Sequence, residues 1–134
     1  MNTGLLIIAH ENVGRALIDT ASYILGMCPM SLEVVSICEG CEPDDMVESA
    51  KSALRRLDSG DGVLVLTDMF GSTPSNVANR LAGDAKIKVV AGLNLPMLVR
   101  VLNYPHLSLD ELVYKAISGA RDGIFVCEPE ACAE

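Results

Sequence analysis

The sequence predicts an α/β protein: a single doubly wound, mostly parallel sheet of four to five strands with helices on both faces. Three observations predict it. Continuous apolar runs such as Leu5 to Ala9 have the character of strands buried on both sides. Segments with helical apolar spacing alternate with those runs from end to end, and no repeat, linker or low-complexity stretch interrupts them. The length, 134 residues, suits one domain spanning 1–134, since domains cluster at roughly 100–150 residues. Half the residues are apolar but only 4% are aromatic, so the core is expected to consist of Val, Ile, Leu, Ala and Met.

The elements follow in order. After the Leu5 to Ala9 strand, Asn12 offers a helix cap, and Val13, Ala16, Leu17, Ala21, Ile24 and Leu25 recur at helical spacing until Gly26 closes the helix. Leu32 to Ile37 is the second strand. Pro43 suits a first helical turn, and Met46, Val47, Ala50, Leu54 and Leu57 form a stripe behind it. Gly62 to Thr67 reads as a third buried strand, and Thr73-Pro74 opens a helix with Val77, Ala78 and Leu81 inward. Ile87 to Ala91 is a fourth strand, and Asn94 to Leu102 a short helix. Ser108-Leu109-Asp110-Glu111 is a capping box for a last helix through Ala120, and Gly123 precedes a short final strand, Ile124 to Cys127.

Ten Lys and Arg against eighteen Asp and Glu leave a formal net charge of −8, which argues against nucleic acid or an anionic membrane as the partner. No apolar run reaches the roughly 20 residues that span a bilayer, and no signal peptide is evident, so a cytoplasmic protein without direct membrane insertion is expected. Five cysteines, Cys28, Cys38, Cys41, Cys127 and Cys132, are an odd set for a disulfide framework, and reduced thiols are the default expectation. Cys38-Glu39-Gly40-Cys41 nonetheless has the spacing of a redox dithiol or of half a zinc site. Zinc would need two further ligands, and neither a metal nor an organic cofactor is expected.

In open α/β sheets the site lies beyond the carboxyl ends of the strands, where strand order reverses. The first strand leads into His10-Glu11 and the third into Asp68-Met69-Phe70-Gly71-Ser72-Thr73-Pro74. If those strands are neighbours, His10 and Asp68 emerge side by side. A carboxylate bonded to one imidazole nitrogen fixes the tautomer and leaves the other nitrogen with an outward lone pair. Gly71 permits close backbone approach, Thr73 can cap the following helix, and free N–H groups at that terminus favour an anion. Histidine attacking phosphorus needs this combination. The same residues also admit a structural reading, a hydrogen-bonded histidine beside a capped turn, and the residues alone leave both open. His106 reads as a solvated loop residue.

These residues carry a resemblance. Ile7-Ile8-Ala9-His10, the helix end Ile24-Leu25-Gly26, the block Leu66 to Asn76 and Val90-Ala91-Gly92-Leu93-Asn94-Leu95-Pro96-Met97-Leu98 resemble, in order, the mannose-family IIA component of the bacterial phosphoenolpyruvate:sugar phosphotransferase system (PTS). The resemblance implies a phosphotransferase relay protein in a membrane-associated sugar-transport complex. His10 would take a phosphoryl group from the carrier HPr and pass it to a IIB component. Asp68 would orient His10, and Gly71, Ser72 and Thr73 would hold the phosphoryl oxygens. It also implies a homodimer in which the end of the sheet is shared between subunits. Alternatives within the resemblance are a regulatory module whose phosphorylation state controls a partner, and a dihydroxyacetone-kinase phosphotransferase subunit. Three features depart from the family pattern: Glu11 and Ser72 each replace a Gly, and the segment Cys38 to Cys41 replaces a Pro-Gly-Asp type turn. A receiver-like reading with Asp68 as acceptor lacks the acidic pair after the first strand and the Lys after the fifth.

Overall fold

The computed structural model describes residues 2–129. Four strands, β1 (Gly4–His10), β2 (Leu32–Ile37), β3 (Val63–Thr67) and β4 (Ile87–Ala91), alternate with helices α1 (Val13–Leu25), α2 (Pro43–Leu57), α3 (Thr73–Asn79), α4 (Leu95–Leu102) and α5 (Leu109–Asp122). All pairings are parallel, in the order β2-β1-β3-β4. The central strands β1 and β3 are therefore covered on both faces, which is why they read as unbroken apolar runs. Leu5, Ile7, Ala9, Leu64 and Leu66 face one core with α1, α4 and α5. Their alternate neighbours Leu6, Ile8, Val63 and Val65 face a second core with α2 and α3. Each such fully buried Leu or Ile stabilises the fold by roughly 1.5–3 kcal/mol.

Three local expectations are corrected. Ile124 to Cys127 is not a strand: the segment has no sheet partner, and Ile124, Phe125 and Val126 are 74%, 67% and 82% exposed. A strand exists only by pairing, and after α5 ends at Gly123, packed closely against Pro96, the segment pairs with neither edge of the sheet among the described residues. Ile124 instead faces Val89 to Gly92 across a cavity of about 480 Å³. The buried side of α1 is Gly14, Ile18 and Ala21, with Leu17 and Leu25 at its margin, while Val13 and Ile24 are exposed. Gly14 sets that face, because a Cβ there would lie 2.9 Å from Ile7 Cγ2 and 3.0 Å from Val34 Cγ1. Asn12 stands at the cap position of α1 without a side-chain cap bond.

The remaining boundaries follow their sequence signals. Gly26 ends α1 in the left-handed conformation, Pro43 begins α2, and Ser108 with Glu111 completes the capping box of α5. Asn94 caps α4 by accepting from Met97 N at 2.8 Å and also donates to the Ala120 carbonyl at 3.4 Å, so it joins α4 to α5.

Candidate functional site

Strand order reverses between β1 and β3: the chain leaves β1 toward β2 on one side and β3 toward β4 on the other. The register pairs Ile8 with Thr67, so His10 and Asp68 emerge together at the carboxyl edge. Asp68 Oδ2 lies 2.9 Å from His10 Nδ1 and accepts the His10 backbone N–H at 3.0 Å. Its other oxygen, Oδ1, accepts the Met69 N–H at 3.0 Å. Burial pushes the Asp68 carboxyl up, but the His10 backbone and side-chain hydrogen bonds and the imidazole's charge outweigh it and hold the group below its ordinary value. In the neutral ring with its proton on Nδ1, that N–H donates to Asp68 and the Nε2 lone pair takes no part in the bond. The Asp68 side chain is 14% exposed and that of His10 44%, so a half-buried carboxylate contacts a more accessible ring.

The turn after Asp68 closes on itself. Ser72 donates its N–H at 3.3 Å and its hydroxyl at 2.5 Å to the Met69 carbonyl. Ser72, and not Thr73, is the cap residue of α3, although its side chain makes no cap bond. Thr73 and Pro74 occupy the first two helical positions, and Pro74 has no N–H. Gly71 adopts a φ of +84°, open to a glycine at little cost. The Ser72 hydroxyl proton is thus committed to the turn, while Gly71 and Thr73 remain exposed beside it.

Two features were not legible as site residues. Met69 and Phe70 are 64% and 77% exposed on this turn, an apolar patch next to His10 in a chain with only two Phe; that rarity in a polar loop is the signal that marks it. Glu11 is the one non-glycine residue with positive φ among the described residues, at +44°. A glycine takes that conformation without strain, which is why glycine suits the position after the histidine. The Glu11 carboxylate turns away toward the β2–α2 loop, where it accepts the Glu39 N–H at 3.1 Å.

The structure also corrects the thiol expectation: Cys38 and Cys41 form a disulfide, with Cα atoms 5.2 Å apart. The spacing is short enough for a bridge once Gly40, at φ +83°, folds the loop back. Cys132 lies outside the described residues. No group of three or more His, Cys, Asp or Glu side chains is placed to hold a metal ion among the described residues. His106 is exposed in its loop, with Nδ1 3.3 Å from Asn2 Oδ1. A cavity of about 500 Å³ between α1, α4 and α5 is lined by Ile24, Pro96, Arg100 and Tyr104 and not by His10 or Asp68. The His10 side chain is 44% exposed, and Met69, Phe70, Gly71 and Thr73 on the neighbouring turn are exposed as well. Among the described residues no helix is long and apolar enough to cross a membrane.

Comparison with known proteins converges on one family. The family model described as the PTS system fructose IIA component matches residues 4–117. The chain is 31% identical over 124 residues to the fructose-specific EIIA component of Bacillus subtilis, covering 91% of this chain and 84% of that protein. It is 32% identical over 127 residues to the mannose-specific EIIAB component of Escherichia coli, covering 92% of this chain but only 39% of that longer relative. Among solved structures, the mannose/sorbose-specific IIA subunit from Enterococcus faecalis superposes with a TM-score of 0.84 at 25% identity, over 96% of both chains. With a matching order of elements, a match through nearly the whole sheet and relatives of its own length, the chain belongs to the mannose/fructose family of PTS IIA components.

Proposed function

We propose that this chain is a cytoplasmic phosphocarrier in which His10 Nε2 accepts a phosphoryl group from the phosphohistidine of HPr and passes it to a IIB component in sugar uptake. One observation carries the reading: Nδ1 is held by Asp68 Oδ2 at 2.9 Å while the ring is 44% exposed, so the free nitrogen is Nε2. In the transfer the Nε2 lone pair attacks phosphorus as the donor's N–P bond breaks, and the bond pair returns to the donor imidazole. Positive charge that develops on His10 is met by Asp68, already ionised and already in place. Gly71, Ser72 and Thr73 form the turn that receives the phosphoryl oxygens, with Thr73 contributing its N–H and hydroxyl and Ser72 bracing the loop. The exposed ring and the exposed apolar Met69 and Phe70 on the adjoining turn suit a protein donor, whose surface can cover them. The unpaired edge of β4 and the exposed Ile124, Phe125 and Val126 support a homodimer that covers them.

The test is incubation with radiolabelled phosphoenolpyruvate, the general phosphotransferase enzyme and HPr. An acid-labile label on the wild type that is absent from His10→Ala is expected, and an unlabelled wild type or a fully labelled variant defeats the reading. A second reading has its own support: the chain is 28% identical over 134 residues to the transcriptional regulatory protein LevR of Bacillus subtilis, of which it covers 14%. In that reading the phosphorylated domain controls a regulator. Failure to pass label to any IIB component, with labelling of His10 intact, favours it.

A further inference from the structure

We propose that Cys38 and Cys41 form a reversible thiol–disulfide site that takes a dithiol as co-reactant and sets the phosphorylation rate of His10 through the Glu11 carboxylate. The inference rests on the phosphocarrier reading above for its output, but the thiol chemistry stands on its own geometry. Cys38 directly follows β2, whose last residue Ile37 is paired with His10 and accepts the Glu11 N–H at 2.9 Å. Cys38 is exposed and Cys41 half-buried, so one sulfur is open to attack and the other is sheltered. The Cys38 N–H points at Cys41 Sγ at 3.3 Å, a donor suited to a thiolate leaving on that sulfur.

The exchange balances as follows. A thiolate of the external dithiol attacks Cys38 Sγ, the Cys38–Cys41 bond breaks, and its electron pair leaves on Cys41. The second thiol of the reductant then resolves the mixed disulfide and releases Cys38. Two electrons and two protons pass to the protein, and the reductant ends as its own disulfide. Glu39 between the two cysteines and Glu42 after Cys41 give the loop negative charge, which opposes an anionic monothiol and favours a dithiol that resolves within one encounter.

The coupling runs through one hydrogen bond. In the bridged loop the Glu39 N–H holds Glu11 Oε1 at 3.1 Å, keeping a carboxylate one residue from His10 turned away from the ring. Reduction opens the four-residue ring, releases that N–H and frees the carboxylate to face an incoming phosphoryl dianion. Like-charge repulsion at the separation of adjacent residues, in a water-exposed site, slows transfer roughly fivefold.

The test uses the full chain, oxidised or treated with dithiothreitol, with two readouts. Alkylation and mass analysis are expected to show Cys38 and Cys41 blocked before reduction and both modified after it. Labelling is expected to be about fivefold faster in the oxidised protein, while Cys38→Ser/Cys41→Ser labels at the slower rate with or without dithiothreitol, which also controls for effects on the general enzyme and HPr. Glu11→Gln is expected to label equally fast in both redox states. Free thiols at both positions under oxidant, equal wild-type rates in the two states, or a redox difference that survives in Glu11→Gln each overturns the proposal. Absence of label in both states defeats the phosphocarrier reading and the coupling together, and is told apart from equal rates by the label itself.

Discussion

Replacing Asp68 with Asn keeps the size of the side chain and removes one acceptor, and it is expected to slow phosphorylation of His10. Both carboxylate oxygens accept backbone N–H groups, Oδ2 from His10 at 3.0 Å and Oδ1 from Met69 at 3.0 Å, and Oδ2 also meets His10 Nδ1 at 2.9 Å. An amide has a single oxygen. If its NH2 takes the Oδ2 place, it opposes the His10 N–H and forces Nδ1 to accept, which moves the ring proton to Nε2 and removes the attacking lone pair. If the NH2 takes the Oδ1 place, it opposes the Met69 N–H and the turn shifts. Either way a charge-assisted hydrogen bond of about 1.5–3 kcal/mol is lost where charge develops on His10, which converts to a labelling rate roughly ten- to 150-fold lower. The assay is the initial rate of transfer from phospho-HPr with an alkaline quench, at matched folded protein judged by circular dichroism. A wild-type rate in folded Asp68→Asn refutes the proposal that Asp68 steadies the nucleophile.

The same carboxylate predicts a pH dependence of stability. Its folded value is lowered, so between that value and the unfolded one near 3.9 the folded state binds fewer protons and stability rises with pH. The advantage of wild type over Asp68→Asn is therefore complete above about pH 5 and lost as pH falls through the folded value; urea titrations at pH 7 and pH 3 measure it, and an equal advantage at both contradicts the assignment. Gly14→Ala would bring a Cβ within 2.9 Å of Ile7 and 3.0 Å of Val34. Overpacking of about 1–3 kcal/mol exceeds the helix-propensity gain of about 1 kcal/mol, so a lower urea midpoint with unchanged slope is expected. Ser108→Ala removes the hydroxyl that accepts the Glu111 N–H at 3.3 Å. A loss of about 1 kcal/mol in thermal or chemical unfolding is expected, with the labelling rate unchanged because Ser108 lies near Asn2 and Thr3, at the end of β1 opposite His10.

Much of this was legible in the residues. Leu5 to Ala9 and Gly62 to Thr67 were legible as strands covered on both sides, because each is a continuous apolar run too short for a helix of its own. Gly26, Pro43 and the Ser108-to-Glu111 box marked helix ends because their chemistry acts within four residues. His10 and Asp68 were legible as a conditional pair. Local information decided each of these, as did the order of the matching motifs.

What the tertiary structure alone decided depends on which segments become neighbours. The strand order β2-β1-β3-β4 turned a conditional pair, 58 residues apart, into a 2.9 Å contact, with Nδ1 as the ring nitrogen that meets the carboxylate. The buried face of α1 moved to Gly14 and Ile18 because Ile7 and Val34 leave room there for nothing larger than hydrogen. Ile124 to Val126 carry a strand's composition but no strand, since a ladder needs a partner that composition cannot supply. The Glu39-to-Glu11 bond depends on the end of β2 lying beside the end of β1, a long-range fact that spacing along the chain does not encode.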